Sequence, residues 1–389
     1  MKQLRLGIIG YGNMGRFHHN NILEGKCPEI TVTAIAEPNK ARLKAVKEKE
    51  KGEKLTAALF ESHEELIKSG LADAVVIATP HYFHPQIAID CLTAGLHVMV
   101  EKPAGVYTKN VRQLNETAAR SGLVFGMMFN QRTNHVYRKL RELVKSGDFG
   151  NIRRSNWIIT DWYRPQAYYD SGAWRATWAG EGGGVLLNQC PHQLDLWQWI
   201  CGMPIKIKSH MAFGKWHDIE VEDEVTAYAE YADGSSGVFV TSTGDACGTN
   251  RLEIQMDKAK FVVEGGKLYG WELFPAEQEF SATNKEPFGT PEVREMEIVT
   301  DNLYTGHVGV LNAFADAINH GRSLVAGGGE GINGLLISNA MHLSAWTGGE
   351  VEIPFDEDEY YRLLMERVAG SRVAKKPQTF TQADISGTF

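Results

Sequence analysis

Residues 10–15 read GYGNMG, set between an apolar run, LRLGII at 4–9, and a helical pattern. Three glycines at this spacing constrain the chain more than any other feature. In a strand–turn–helix context Gly10 permits the tight turn, Gly12 lets a pyrophosphate approach the backbone, and Gly15 lets helix and strand pack closely. Free N–H groups at the helix start then hold the phosphates. Tyr11, Asn13 and Met14 complete the loop and are assigned with the glycines to a cofactor site. The next strand, TVTAIA, ends at Glu37, where a carboxylate accepts hydrogen bonds from the adenosine ribose and repels a 2′-phosphate. The nearest arginine, Arg42, lies a turn into the following helix, so the expected cofactor is NAD rather than NADP. Two plainer readings compete: a glycine-rich turn with no ligand, and Glu37 as a solvated loop carboxylate.

The surrounding pattern agrees with the motif. LRLGIIG, TVTAIAE, ADAVVIATP, HVMVEKP and LVFGMMFN read as strands, separated by helical stretches such as NKARLKAVKEKEKGEK, HPQIAIDCLTAGL and VRQLNETAARSG. This alternation implies right-handed crossovers and a parallel sheet. It fills residues 1–125, read as a Rossmann-type nucleotide-binding domain. From 126 to 389 the texture changes. After a helix at 136–146, IRRSNWIITDWY, IKIKSHMAFG, VTAYAEYADGSSGVFVTST and RLEIQMDKAKFVVEGG alternate, with Asp-Gly and Gly-Gly turn signals. The expectation is an α/β fold whose second domain holds a large, mostly antiparallel open sheet for substrate binding and oligomerisation. HVGVLNAFADAINHG and GINGLLISNAMHLSAWTGG add two helices with i, i+3, i+4 apolar spacing. The polar tail after Ile353 is left unassigned.

Composition narrows the partners. A formal net charge of −8 without a basic cluster argues against nucleic acid and anionic membranes. No apolar run approaches the ~20 residues that span a bilayer. MKQLRLGIIG enters a strand too early for a signal peptide. Cys27, Cys91, Cys190, Cys201 and Cys247 form no CxxC pair and read as reduced thiols in a cytoplasmic protein. No His/Cys/Asp grouping has metal-ligand spacing, so no metal is expected.

Two further stretches carry chemistry. EKP at 101–103 closes a strand at its carboxyl end, where ligands sit in open parallel sheets. Lys102 there can hydrogen-bond a substrate hydroxyl and stabilise alkoxide character; a surface lysine is the plain alternative. GEGGGVLLNQCPHQLDLWQW at 180–199 sets three glycines, an Asn, a Pro and a His before an apolar helix. Asn188 is a plausible N-cap and Pro191 fits only a first turn, which predicts a helix starting near Asn188 with Asn188, His192 and Asp195 on one face. The helix dipole favours neutral imidazole at His192, the form a general base needs. The rival reading makes Asn188 only a cap, and His192 a buried histidine bonded to Asp195.

Together these segments resemble the glucose–fructose oxidoreductase/inositol dehydrogenase (Gfo/Idh/MocA) family. The resemblance rests on GYGNMGRFH (10–18), ATPHYFHPQIAIDCLTAGLHVMVEKP (78–103), NQRTN (130–134), WRATW (174–178) and GGGVLLNQCPHQLD (182–195). It implies NAD(P)-dependent oxidation or reduction of sugars and polyols, dimers or tetramers built on the open sheet, and Lys102 with His192 as the catalytic pair. The cofactor site then also takes Thr79, Pro80, His84, Glu101, Lys102 and Asn130. Many members carry Asp four residues before the His; Asn188 departs from this, which puts in doubt a charge relay through that position. Asn130, Arg132, Tyr163, Trp174 and Arg175, with Asn188, Lys102 and His192, are the substrate candidates, and His307, at the head of the late helix, is a weaker one. An interface loop is the alternative for the aromatic stretch 160–178.

The expected function is an NAD-dependent dehydrogenase of a secondary hydroxyl on a sugar, glycoside or cyclitol. An NAD-dependent glycosidase working by transient C3 oxidation, and a sugar- or NAD-sensing regulator, are the alternatives.

Overall fold

The computed structural model describes residues 3–49 and 57–372. Its elements are β1 (Leu4–Ile9), α1 (Asn13–Leu23), β2 (Ile30–Ala36), α2 (Lys40–Lys49), β3 (Ala58–Phe60), α3 (His63–Ser69), β4 (Ala74–Ile77), α4 (His84–Thr93), β5 (His97–Val100), α5 (Thr108–Ser121), β6 (Phe125–Met127) and α6 (His135–Lys145). There follow β7 (Ile152–Ile159), α7 (Gln166–Asp170), α8 (Pro191–Cys201), β8 (Lys206–Phe213), β9 (Glu222–Glu230), β10 (Ser236–Ser242), β11 (Asn250–Met256), β12 (Ala259–Glu264), β13 (Lys267–Phe274), α9 (Glu277–Thr283), β14 (Glu292–Met296), α10 (Gly306–His320), α11 (Gly331–Thr347), β15 (Val351–Glu352) and α12 (Glu357–Ala369). Part of the expected charged helix at 39–54, and the end of the tail, 373–389, lie outside the described residues.

Six strands form a parallel sheet in the order β3-β2-β1-β4-β5-β6. AVVI of β4 is buried at every position, as a strand covered on both faces by helices must be. The order reverses between β1 and β4, and the crevice at such a switch point is where ligands sit. GYGNMG leaves β1 at that point.

Nine strands form the second sheet, β14-β13-β12-β11-β7-β10-β9-β8-β15. Its pairings are antiparallel except β7 with β10. Register separates the faces. The inner row places Phe239 beside Trp157 and Trp157 beside Leu252, all buried. The outer row runs Tyr228, Val238, Asn156, Glu253, Val262, Tyr269, with both tyrosines exposed. α11 is buried nearly all round, the mark of a helix enclosed by other elements. Among the described residues no helix is long and apolar enough to cross a membrane.

The expected boundary at 125 cuts β6, which runs to Met127. α10 then returns to the first domain: Val310, Leu311, Phe314 and Ala315 share a core cluster with Leu6, Ile8, Met99 and Met128. Amphipathic spacing told which face of α10 is buried but not against what. The tail also contributes: α12 meets α5 through Arg112 Nε to Glu357 (2.7 Å) and Tyr107 against Tyr361.

One expectation about the site helix is corrected. α8 starts at Pro191, with Cys190 in the cap position. The Asn188 N–H donates to Gly184 O (2.9 Å), closing a turn ahead of the helix, so Asn188 neither caps α8 nor shares its face. Asp195 does not hold His192. It accepts two bonds from Arg132, Nε (2.8 Å) and Nη2 (2.7 Å), with both side chains about 2% exposed. Arg132 Nη1 donates to Glu330 (2.7 Å). Burial works against the Arg132 charge, but the bonds and charge of Asp195 outweigh it and hold the guanidinium above its ordinary value. The expected substrate contact at Arg132 is therefore spent inside the fold. Arg132→Met should leave the Asp195 carboxylate buried and unpaired and cost about 3–5 kcal/mol, read as a lower urea midpoint. An unchanged midpoint with a raised KM would make Arg132 a ligand contact after all.

Candidate active site

The glycine loop has the shape its spacing suggested. Gly10 takes φ +89°, and a Cβ at Gly15 would lie 2.1 Å from Gly10 O, so the turn and the helix approach both require glycine. A Cβ at Gly12 would meet nothing within 4 Å, leaving open space beside the start of α1. Asn13 Oδ1 accepts from Arg16 Nη2 (2.8 Å), Tyr11 OH meets His19 Nδ1 (2.6 Å), and Met14 is half-buried. Glu37 is not a solvated carboxylate: it is buried, accepting from Tyr11 N and Asn39 N at 2.9 Å each. Arg42, a turn away in sequence, folds back to 3.5 Å from Glu37 Oε2. A cation therefore stands beside the carboxylate expected to exclude a 2′-phosphate.

After β4, Thr79 Oγ1 is buried without a partner, as is Asn130 Oδ1 after β6, while Asn130 Nδ2 donates to Tyr304 OH (3.0 Å). The open space at Gly12, the free helix start and these two orphaned acceptors fit a dinucleotide. Pro80 opens the short turn His81–Phe83. His84, expected on the cofactor, is turned inward instead. Its Nδ1 lies 2.8 Å from Pro103 O and its Nε2 2.7 Å from Thr79 O, so it ties the EKP turn to the turn after β4.

Glu101 and Lys102 follow β5. Glu101 Oε1 meets His18 Nε2 of α1 at 2.6 Å and Oε2 accepts from Lys102 N, so one oxygen ties the turn to α1 and the other serves the turn itself. Burial alone would push Glu101 up; the bond and charge of His18, with His307 and Lys102, bring it down to about 2. Lys102 Nζ donates to Asn188 O (2.8 Å). Burial lowers its pKa and Arg175 adds to this, while Glu101 and Glu181 oppose.

The glycine stretch 180–184 is shaped by a carboxylate from β9. Glu222 accepts from Gly184 N (2.8 Å) and Leu186 N (3.1 Å), and its other neighbour is His342 Nε2 at 3.0 Å. A Cβ at Gly184 would overlap Glu222 O at 2.0 Å. The turn it holds delivers Asn188, whose Nδ2 donates to Glu181 and whose Oδ1 accepts from Tyr168 OH (3.0 Å). Tyr168 OH accepts in turn from Arg175 Nη1 (2.8 Å). Trp174 packs on Arg175 and meets His81 edge-on. In the first turn of α8, His192 is buried with neither ring nitrogen bonded, and Phe129 lies edge-on to it. Burial first, then the charges of Lys102 and His307, push it well below the ordinary histidine value, against Glu101.

Lys102, Asn188, Trp174 and Arg175 thus belong to one connected network, and Lys102 acts electrostatically on His192. Tyr163 is not brought in: its ring is 44% exposed and its carbonyl accepts from Arg164. His307 packs against Phe17 and His18, and burial with its cationic neighbours lowers it to about 4 despite Glu101. Glu181, Tyr168, Glu222 and His81 were not singled out from sequence. An acid inside a glycine stretch was the visible signal for Glu181; Glu222, in an alternating strand, gave none. One group among the described residues has metal-ligand spacing in space, Glu29, Asp316 and His320, but it lies at the surface and His320 is bonded to Glu29.

Comparison with known proteins places this geometry. Residues 4–129 match the family model described as an oxidoreductase family with an NAD-binding Rossmann fold, and 137–262 match the GFO/IDH/MocA C-terminal domain. The chain is 31% identical over 205 residues to inositol 2-dehydrogenase of Leifsonia xyli subsp. xyli, covering 52% of this chain and 55% of that protein. Such matches span little more than half of several curated relatives. D-glucoside 3-dehydrogenase of Escherichia coli is 26% identical over 367 residues, covering 90% of this chain and 97% of its own. The WlbA dehydrogenase of Bordetella pertussis, solved with NADH and UDP-GlcNAcA, superposes with a TM-score of 0.77 at 24% identity, over 92% of this chain and 99% of that one, a likeness of fold. The chain belongs to the Gfo/Idh/MocA family of oxidoreductases, its NAD-binding Rossmann domain preceding the family's C-terminal domain.

Proposed function

We propose that the protein is an NAD-dependent dehydrogenase of a secondary hydroxyl on a sugar, glycoside or cyclitol, with His192 as general base and Lys102 polarising the oxygen. The observation that carries this reading is His192 itself, a buried imidazole with two unpartnered nitrogens. An unbonded buried polar group is costly unless a ligand completes it. The names of the inositol and glucoside dehydrogenases among its relatives support the substrate class.

The loop at 10–15, Glu37, Thr79 and Asn130 would hold the dinucleotide. When bound, the dinucleotide would supply the acceptor for the hydride that leaves the carbinol carbon. The chain's own residues manage the oxygen. A ring nitrogen of His192 takes the hydroxyl proton. Lys102 Nζ spends one N–H on Asn188 O, leaving two of its three donors for the substrate oxygen. Trp174 offers an apolar face to a sugar ring, and Arg175 orients hydroxyls through Tyr168 and Asn188. The test is absorbance at the NADH band across a panel of sugars, glycosides and inositols. Glycoside cleavage without net NADH would favour the glycosidase, and tight NAD binding without turnover would favour the sensor.

His192→Ala should lower kcat by about 10²–10⁴ with NAD affinity unchanged. Because only neutral imidazole accepts a proton and His192 sits below its ordinary value of about 6.5, kcat/KM should rise through one ionisation on the acid side of that value. It should stay level through neutrality, then fall where Lys102, itself lowered, loses its proton. Near-normal turnover in His192→Ala would remove it as the base. Lys102→Ala should lower kcat and raise KM together.

Cofactor choice tests Glu37 and Arg42 as a pair. NAD should outperform NADP by at least about tenfold, or ~1.4 kcal/mol. Arg42→Ala should widen that ratio, because the guanidinium is the cation placed to meet a 2′-phosphate. Equal rates with both cofactors in the wild type would overturn the role given to Glu37.

The outer face of the nine-stranded sheet exposes Tyr228, Ile158 and Tyr269 at 46%, 40% and 39%, large apolar side chains of the kind soluble monomers rarely group on one face. We expect a homodimer or homotetramer built on it with closed symmetry. Light scattering at micromolar concentration should return a multiple of the chain mass, and a monomer would refute this.

A further inference from the structure

We propose that Glu181 is a positioning residue for this reaction: its buried carboxylate fixes the Asn188 carboxamide and supplies, from the second domain, negative charge beside the Lys102 ammonium. The inference rests on the dehydrogenase reading for its kinetic consequences, but not for its electrostatic one.

The geometry is directional. Glu181 Oε2 accepts from Ala176 N (2.6 Å) and Oε1 from Asn188 Nδ2. Arg175 can only donate, so its bond to Tyr168 OH makes that oxygen an acceptor and sends the phenolic proton to Asn188 Oδ1. The amide nitrogen must then face Glu181, and no flipped arrangement satisfies both neighbours. Asn188 couples onward through its main chain, because its carbonyl accepts from Lys102 Nζ. One residue therefore joins a buried acid to the half-buried lysine. The side chain is set by Glu181 and the backbone contacts Lys102.

The charges around Lys102 come from every side of the site. Glu101 adjoins it after β5. Arg175, Glu181 and Cys190 flank it from the segment before α8, His192 from α8, His307 from α10, and His81 and His84 from the turn after β4. Burial lowers Lys102 and Arg175 lowers it further; Glu101 and Glu181 are the carboxylates that oppose them. Burial holds the Glu181 carboxyl above its ordinary value and Glu222 adds to this, against Arg175 and the bonds from Ala176 N and Asn188, which favour the ionised form. Glu101 is already committed to His18. Glu181 is thus the acid whose removal should be felt at Lys102 without loosening the EKP turn.

The hydrogen-bond pattern permits a charge exchange. In Glu181→Gln alone, the new carboxamide can still accept from Ala176 N through its oxygen, but its nitrogen then faces the Asn188 amide nitrogen, donor against donor. In Asn188→Asp alone, two carboxylates share one buried contact and one must take a proton. In the double variant Glu181→Gln/Asn188→Asp the bond reverses polarity. The carboxamide at position 181 donates, the carboxylate at position 188 accepts, Tyr168 still donates to position 188, and Ala176 N keeps its acceptor. Every bond survives, and the negative charge moves one residue nearer Lys102.

The experiment follows Lys102 directly, by NMR of ε-¹³C-labelled lysine in the full-length protein, the signal assigned with Lys102→Arg, alongside pH profiles of kcat and KM. Glu181→Gln should lower the proton affinity of Lys102 by about tenfold, the scale of losing one nearby opposite charge. The basic limb of kcat/KM should move to lower pH with it. Asn188→Asp should raise KM, and the double variant should recover both the Lys102 ionisation and most of the turnover. If Glu181→Gln does not fold, the double variant carries the test alone, since it keeps all the bonds. Unchanged Lys102 ionisation in Glu181→Gln, or a double variant no better than the worse single one, would overturn the proposal. A shifted Lys102 in a protein that oxidises no sugar would overturn the dehydrogenase reading and support Glu181; normal turnover with no shift would do the reverse.

Discussion

The paired hydrogen bonds between Arg132 and Asp195 fix where the rest of the site can stand. Arg132 follows β6, the last strand of the nucleotide-binding sheet, and Asp195 lies three residues beyond His192 on α8. A third partner, Glu330, comes from just ahead of α11. Burying such a pair contributes little net stability compared with apolar packing, because desolvation offsets the attraction. What it contributes is geometry. A planar fork matched to a carboxylate admits one orientation and one distance. Phe129 and Trp199 lie against the guanidinium at 5.4 and 5.2 Å and keep water from it. Phe129 also borders His192. The element that seals the ion pair thus walls the proposed base, and both domains share it.

A second constraint acts on the loop ahead of α8. Glycines at 182–184 give that loop no side chains to pack, so its amides must be satisfied from outside. Glu222, at the start of β9, takes two of the loop's N–H groups. Its carboxylate in turn adjoins His342 on the enclosed helix α11, which is bonded to Ser338 O through Nδ1. The same helix reaches the first domain, where Asn339 accepts from Thr108 N and donates to Val106 O. A flexible, glycine-rich stretch is in this way held between a strand, a central helix and the EKP turn. Its position follows from the packing of α11, not from its own sequence.

Much of this was legible along the chain and some was not. Five of the six strands of the first sheet are apolar runs between turn signals, so they and the glycine loop after β1 could be read directly, whereas β3, only three residues long, was not read. The residue types at 101–103 and 192 marked the candidate site. What failed was partner identity. Asn188 has the chemistry of a cap, yet Pro191 begins α8 and Asn188 closes the preceding turn. Arg132 has the chemistry of a sugar contact, yet its partner lies 63 residues on. His84 has the chemistry of a ligand contact, yet both nitrogens meet main-chain carbonyls. Periodicity and spacing describe local geometry, whereas a buried polar group takes whichever partner the topology delivers. That choice is made by the sheet order and by the return of α10 and α11 to the first domain.

The electrostatics of the site turn on a conflict between burial and charge. Burial lowers the proton affinity of both His192 and Lys102, since each is cationic when protonated. For the imidazole this is an advantage in the proposed reaction, and the neighbouring charge of Lys102 pushes the same way. For the lysine it is a hazard, because a neutral amine polarises an alkoxide poorly. Carboxylates placed on the lysine side resolve the conflict. Glu101 is kept ionised by His18, and Glu181 stands behind Asn188. Glu101 acts on both groups, raising each, whereas Glu181 is felt at the lysine. The two ionisations are therefore held apart by the asymmetric placement of acids around a shared buried space, and the interval between them is the range in which a neutral base and a charged lysine can coexist.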